Sequence, residues 1–154
     1  MSPNIGEAAP NFTLQNTEGK SVDLYNHLED SKGVLLFFPL AFSSTCTEEL
    51  CTVRDNMKMY NSLDAKVIAI SVDSFFVLKE YKKSQNLNFT LLSDFNKEVS
   101  ELYDALYDDY FGMRGVSKRA AFVIGEGRKI NYAEILEDSG ELPDFTSIRQ
   151  ALQE

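Results

Sequence analysis

The chain has no tryptophan, a single histidine (His27) and only two cysteines, Cys46 and Cys51. One histidine, with no cysteine or carboxylate cluster at ligand spacing, excludes a zinc site and leaves His27 as a surface or capping residue. Two cysteines in 154 residues do not staple a small secreted scaffold. In the cytosol a bridge between them would be transient or catalytic. Basic residues are scarce too: 15 Lys and Arg stand against 24 Asp and Glu, a net charge of -9, and Lys82-Lys83 is the one short basic cluster of note. Neutralising phosphates needs clustered cations, so nucleic acid and an anionic membrane surface are both excluded as partners. No stretch approaches the roughly 20 apolar residues that span a bilayer. Met1-Ser2-Pro3-Asn4-Ile5-Gly6-Glu7 lacks the basic and apolar regions of a signal peptide. A cytoplasmic protein is expected.

What is present is an ordinary globular composition, 44% hydrophobic and 25% charged, which excludes disordered and fibrous classes. The length suits one domain over residues 1–154 with one sizeable core. Three apolar runs, Gly33–Phe38, Lys66–Val72 and Ala120–Ile124, read as strands buried on both faces. Between them lie helical spacings: Phe75, Leu78 and Tyr81, then Val99, Leu102, Tyr103 and Leu106. Buried strands alternating with helices predict an α/β sheet with parallel pairs. Asn11–Leu14 and Ser21–Leu24 are short strand candidates around a Glu18-Gly19-Lys20 turn. Gly125–Arg128 predicts a hairpin into Lys129–Ile135, and Pro143-Asp144 starts a last helix with Phe145, Ile148 and Leu152 on one face. This order fits a thioredoxin-like sandwich.

The first run breaks at Pro39 and passes through Ser43, Ser44 and Thr45 to Cys46. Thr45-Cys46-Thr47-Glu48 matches a capping box, which predicts Thr45 as N-cap and Cys46 as the first helical residue. Leu50, Val53, Met57 and Tyr60 continue the helical stripe from Cys46. Unpaired N–H groups and the helix dipole at that end favour a thiolate over a thiol, although most free cysteines are simply small buried hydrophobes. Cys51 follows five residues later. In an intact helix it lies about 140° around the axis from Cys46, with the Cα atoms about 8.6 Å apart, beyond the roughly 7 Å limit for a disulfide. Cys51 is therefore either a packing residue or a partner that reaches Cys46 only when the helix unwinds.

Pro39-x-x-x-Ser43-x-x-Cys46, with Glu49 beyond it and Arg119 opening the third apolar run, resembles the active-site signature of the peroxiredoxins. Phe38-Pro39-Leu40-Ala41-Phe42 is similar to the alkyl hydroperoxide reductase E branch, while the Cys46/Cys51 spacing is similar to the bacterioferritin comigratory protein branch. The resemblance runs from Gly6–Phe12 to the last helix. It implies a thioredoxin fold with added N-terminal strands and a thiol peroxidase acting on hydrogen peroxide or organic hydroperoxides, with no metal or organic cofactor. Cys46 is then the peroxidatic nucleophile. Ser43 hydrogen-bonds peroxide and thiolate, Pro39 shields them, Arg119 keeps the thiolate ionised and Glu49 orients the arginine. The resemblance further implies that Cys51, or an outside thiol, condenses with the Cys46 sulfenic acid, that a thioredoxin-type dithiol recycles the enzyme, and that a homodimer is plausible. Ser43 stands for the commoner threonine, and Thr47 where many relatives carry proline, which removes a fixed φ from the first turn. Two other classes compete. A thiol–disulfide oxidoreductase is disfavoured by the absence of Cys-x-x-Cys. A non-catalytic binding or holdase module is disfavoured by the intact Pro39, Ser43, Cys46 and Arg119 set.

Overall fold

A computed structural model describes residues 3–154. Its centre is a seven-stranded sheet in the order β2 (Ser21–Asp23), β1 (Thr13–Asn16), β5 (Thr90–Ser93), β4 (Ala65–Ser71), β3 (Lys32–Phe37), β8 (Arg119–Ile124), β9 (Ile130–Leu136). β3 and β4 are parallel, joined through α2 (Ser44–Asp55) and α3 (Met57–Ser62). β8 runs antiparallel to β3, and β9 antiparallel to β8, before α6 (Phe145–Leu152) closes the chain. A βαβ unit followed by a ββα unit, with β3 and β8 central, is the thioredoxin fold that the apolar runs imply. β1, β2 and β5 widen the sheet beyond β4.

The apolar runs are continuous because both faces of the sheet are covered. Val34, Leu36 and Phe38 pack one way, against Leu50 and Val53 of α2, Met57 and Tyr60 of α3, Leu78 and Tyr81 of α4 (Phe75–Ser84), and Ile148 of α6. Leu35 and Phe37 pack the other way, against Leu24 and Leu28 of α1 (Leu24–Leu28) and Val99 of α5 (Glu98–Leu102). Among the described residues no helix is long and apolar enough to cross a membrane.

Three expectations shift. The first strand begins at Thr13 rather than Asn11, because Phe12 is drawn into the core and its carbonyl accepts from Leu24 N–H. The stripe from Leu50 to Tyr60 is buried as expected, but Asn56 interrupts the helix, its side chain donating to the Thr52 carbonyl. The helix carrying Val99 stops at Leu102. Asp104 turns at φ 57, and Leu106 then joins a two-residue strand, β6 (Leu106–Tyr107), paired with β7 (Val116–Ser117).

Candidate active site

The site is assembled where β3 leaves the sheet. Phe38 N–H still bonds the Ile70 carbonyl, but Pro39 has no N–H to continue the ladder and is itself buried. The loop is then tied to β4's end: Ala41 N–H donates to Asp73 Oδ2 at 2.7 Å, and the Ser71 hydroxyl donates to the same oxygen at 2.7 Å. Phe42 takes the left-handed conformation (φ 68), costly for a residue with a Cβ, and its ring leans on Tyr81 with centroids 4.9 Å apart. This reversal starts α2 immediately afterwards.

The helix start therefore differs from the expected one. Ser43 is the N-cap (φ -76, ψ 151) and Cys46 the third helical residue, so the Thr45/Glu48 capping box does not form. Ser43 does not cap with its side chain either; its hydroxyl donates to the Leu40 carbonyl at 2.9 Å. Consequently the N–H groups of Ser44, Thr45 and Cys46 find no acceptor among the described residues. They form an open ring of donors at the positive end of the helix.

Topology brings the arginine to this point. In the β3–β8 register Phe37 faces Ala120, so Arg119, one residue earlier on the antiparallel strand, sits beside the end of β3 and the start of α2. Arg119 is buried, and all three guanidinium nitrogens are engaged. Nη2 donates to Cys46 Sγ at 3.4 Å, Nη1 to Glu49 Oε1 at 2.6 Å, and Nε and Nη2 to the Ser139 carbonyl at 3.2 and 2.8 Å. Cys46 and Glu49 are also wholly buried. Burial pushes the Glu49 carboxyl up to about 7 despite its ion pair with Arg119, and its Oε2 finds no partner among the described residues. Burial works against the Arg119 charge, yet Glu49 and Cys46 hold its pKa above the usual value.

Cys51 is not drawn into this cluster. α2 is continuous from Ser44 to Asp55, both cysteines are free, and the half-buried Cys51 Sγ donates to Gln85 Oε1 at 3.5 Å. Thus Cys46, Glu49 and Arg119 meet, Pro39 is buried just past the end of β3, Ser43 lies at the helix cap bonded to the loop, and Cys51 stands apart. Sequence reasoning missed Asp73 and Ser139. Asp73 follows the second apolar run directly, which could have marked it as a residue at the functional end of the sheet. Ser139 acts through its carbonyl, and no residue type signals that.

The sequence profile of the AhpC/TSA family matches residues 5–133. The chain belongs to the AhpC/TSA family. These are the peroxiredoxins, thiol peroxidases, and this chain is an enzyme of that kind. A Coxiella burnetii protein named as a bcp peroxiredoxin is 36% identical over 129 residues, 82% of this chain and 84% of that protein. Alkyl hydroperoxide reductase E of Mycobacterium bovis is 32% identical over 143 residues, covering 92% of this chain and 90% of its own. The crystal structure of the peroxidoxin BcpB from Mycobacterium tuberculosis superposes with a TM-score of 0.88 at 26% identity, over 98% of this chain and 97% of that one. Both branches that the sequence resembles are thus represented among its relatives.

The tether from Asp73 to the loop is testable in this peroxiredoxin. Asp73→Ala removes the acceptor for Ala41 N–H and Ser71. The loop loses its fixed start, so the expected cost is about 1–3 kcal/mol in urea unfolding and about tenfold in the rate of thiol oxidation by peroxide. Asp73→Asn retains an acceptor oxygen and should recover most of both. An alanine variant as stable and as fast as wild type would remove Asp73 from the account.

Proposed function

We propose that Cys46 is the peroxidatic nucleophile, that Cys51 resolves it as an intramolecular disulfide, and that a thioredoxin-type dithiol in the cytoplasm reduces that disulfide. The observation that carries this reading is the 3.4 Å contact from Arg119 Nη2 to a buried sulfur at the start of a helix. The Cys46 thiolate attacks one hydroperoxide oxygen, the O–O bond breaks, and the departing oxygen takes a proton to leave as water or an alcohol. Charge develops on that oxygen beside a buried sulfur, where Arg119 and the free N–H groups of α2 are fixed donors. The Ser43 hydroxyl spends its proton on Leu40, so toward the peroxide it serves as an acceptor for the O–H. Pro39 and the buried wall behind it limit water. Glu49 and Ser139 keep the guanidinium plane aimed at the sulfur. Cys46 sulfenic acid then condenses with the Cys51 thiol and releases water.

A second reading has an outside thiol resolve the sulfenic acid. It is favoured by the unbroken α2 and by Cys51 bonding Gln85 rather than facing Cys46. Intact mass after one equivalent of hydrogen peroxide separates the two: a loss of about 2 Da for the internal disulfide, a gain of about 16 Da for a persistent sulfenic acid. Cys51→Ser should oxidise at the wild-type rate, stop at the gain of about 16 Da and lose thioredoxin-supported turnover. Unchanged turnover would assign Cys51 to packing. The exposed Phe42, 55% accessible beside the cysteine turn, supports a homodimer through that face. Sedimentation of Phe42→Ser against wild type tests it.

A further inference from the structure

If Cys51 resolves Cys46, α2 must unwind between them, and the contacts that hold its first turns from outside set how readily it does so. Arg119 on β8 holds Cys46 and Glu49 from one side; the remaining polar contacts run to α4. Thr47 Oγ1 and the Tyr81 hydroxyl are 2.9 Å apart, Cys51 Sγ reaches Gln85 Oε1, and Arg54 Nη1 donates to the Gln85 carbonyl at 2.7 Å. Tyr81 also carries the Phe42 ring, so it touches the chain on both sides of Cys46: four residues before it and one after. The three contacts to α4 differ in what unwinding does to them. The Thr47 contact lies inside the segment that must melt, the Cys51 contact ends it, and the Arg54 contact lies beyond it and can survive as a hinge.

Tyr81 is fully buried, and Thr47 is the partner of its hydroxyl among the described residues. Releasing Thr47 leaves that hydroxyl without a partner, which costs more than the bond itself contributes. Burial pushes the Tyr81 phenol up to about 12, so it stays neutral across the working range. Thr47 N–H also closes the first helical bond, to the Ser43 carbonyl at 3.0 Å, which a proline there could not make, so the side-chain contact adds to a backbone bond that breaks in the same unwinding.

We propose that Tyr81 is a positioning residue that latches the first turns of α2 through Thr47, and that its release sets the share of oxidised Cys46 that reaches Cys51. The proposal rests on the two-cysteine reading above. Two fates compete for the sulfenic acid. Attack by the Cys51 thiol forms the S–S bond and expels the hydroxyl as water. Attack by the sulfenate on a second hydroperoxide breaks another O–O bond, gives the sulfinic acid and releases water or an alcohol. A tight latch holds the helix wound and exposes the sulfenic acid to the second fate.

Tyr81→Phe keeps the ring against Phe42 and removes only the hydroxyl; Thr47→Val removes the same bond from the other side. Quenched-flow intact mass should show first oxidation within about twofold of wild type in both. Conversion from the gain of about 16 Da to the loss of about 2 Da should be about fivefold faster. The gain of about 32 Da at excess peroxide should shrink. The double variant should be no faster than either single one, because both delete one interaction. Amide exchange over Cys46–Cys51 in the reduced proteins should rise by about the same factor of five. A wild-type protein that stays at the gain of about 16 Da sinks the two-cysteine reading, and the partition with it. A wild type that closes its disulfide at a rate the variants share, with exchange unchanged, sinks the latch alone.

Discussion

A Cys46→Ser protein should leave hydroperoxide unconsumed, a fall of more than about 10⁴-fold in the second-order rate. The reaction needs a polarisable nucleophile that is ionised near neutral pH, and an alcohol is neither. The substitution is otherwise mild. Serine fills nearly the same space at the start of α2 and can still accept from Arg119. Arg119 stays anchored by Glu49 and by the Ser139 carbonyl, so the donors around the missing sulfur remain in place. A polar hydroxyl in the apolar cluster that holds Cys46 should cost about 1 kcal/mol in urea unfolding. Loss of activity with a retained unfolding transition therefore isolates the sulfur. Cys51 offers no substitute, since it bonds Gln85 and lies away from the guanidinium. Peroxide consumption that survived in Cys46→Ser would move the chemistry elsewhere and end the proposed mechanism.

The framework of this site was legible because burial is a strong, local signal. Gly33–Phe38, Lys66–Val72 and Ala120–Ile124 are apolar runs because helices cover both sheet faces, and that marks β3, β4 and β8 as interior strands. The start of α2 was not legible to the residue. Ser43, Ser44 and Thr45 are all competent caps, so the choice among them is not made by local pattern. It is made by the loop: Asp73 holds Ala41, and Tyr81 holds Phe42 in a left-handed turn, which leaves Ser43 as the last extended residue. The expected capping box lost to these tertiary contacts.

Other misses have equally physical roots. β5 is four residues long and rich in leucine, which marks helix as readily as strand; its identity comes from the neighbouring edges of β1 and β4. Arginine and glutamate are seldom fully buried, so composition argues that Arg119 and Glu49 are exposed. Only the peroxiredoxin resemblance argued otherwise; in the structure the two side chains are buried and meet at 2.6 Å. Tyr81 was visible as part of a helical stripe, but its hydroxyl contact with Thr47 depends on how α2 and α4 lie side by side. Periodicity along one helix says nothing of that.

Arg119→Met is expected to slow Cys46 oxidation by about 10²–10³-fold, the usual consequence of deleting a charged donor at a developing oxyanion. Its effect on stability should depend on pH. Removing one member of a buried ion pair costs about 3–5 kcal/mol when the other charge stays behind. Here the other member can escape the penalty, because burial already holds the Glu49 carboxyl at about 7. Without Arg119, the group that lowers it, Glu49 should stay protonated further into the alkaline range. The folded protein binds this proton more tightly than the unfolded chain, so Glu49's contribution to stability is present at acid pH and is lost as the pH rises through about 7. The deficit of Arg119→Met should accordingly be small below that point and widen above it. Glu49→Gln removes the titrating group and should flatten the pH dependence of urea unfolding in either background, while keeping a hydrogen-bond acceptor for Arg119. A deficit of Arg119→Met that is equally large in acid and at alkaline pH would mean that Glu49 remains ionised throughout. The arginine would then be held by a permanent carboxylate, and the raised Glu49 pKa would have to be abandoned.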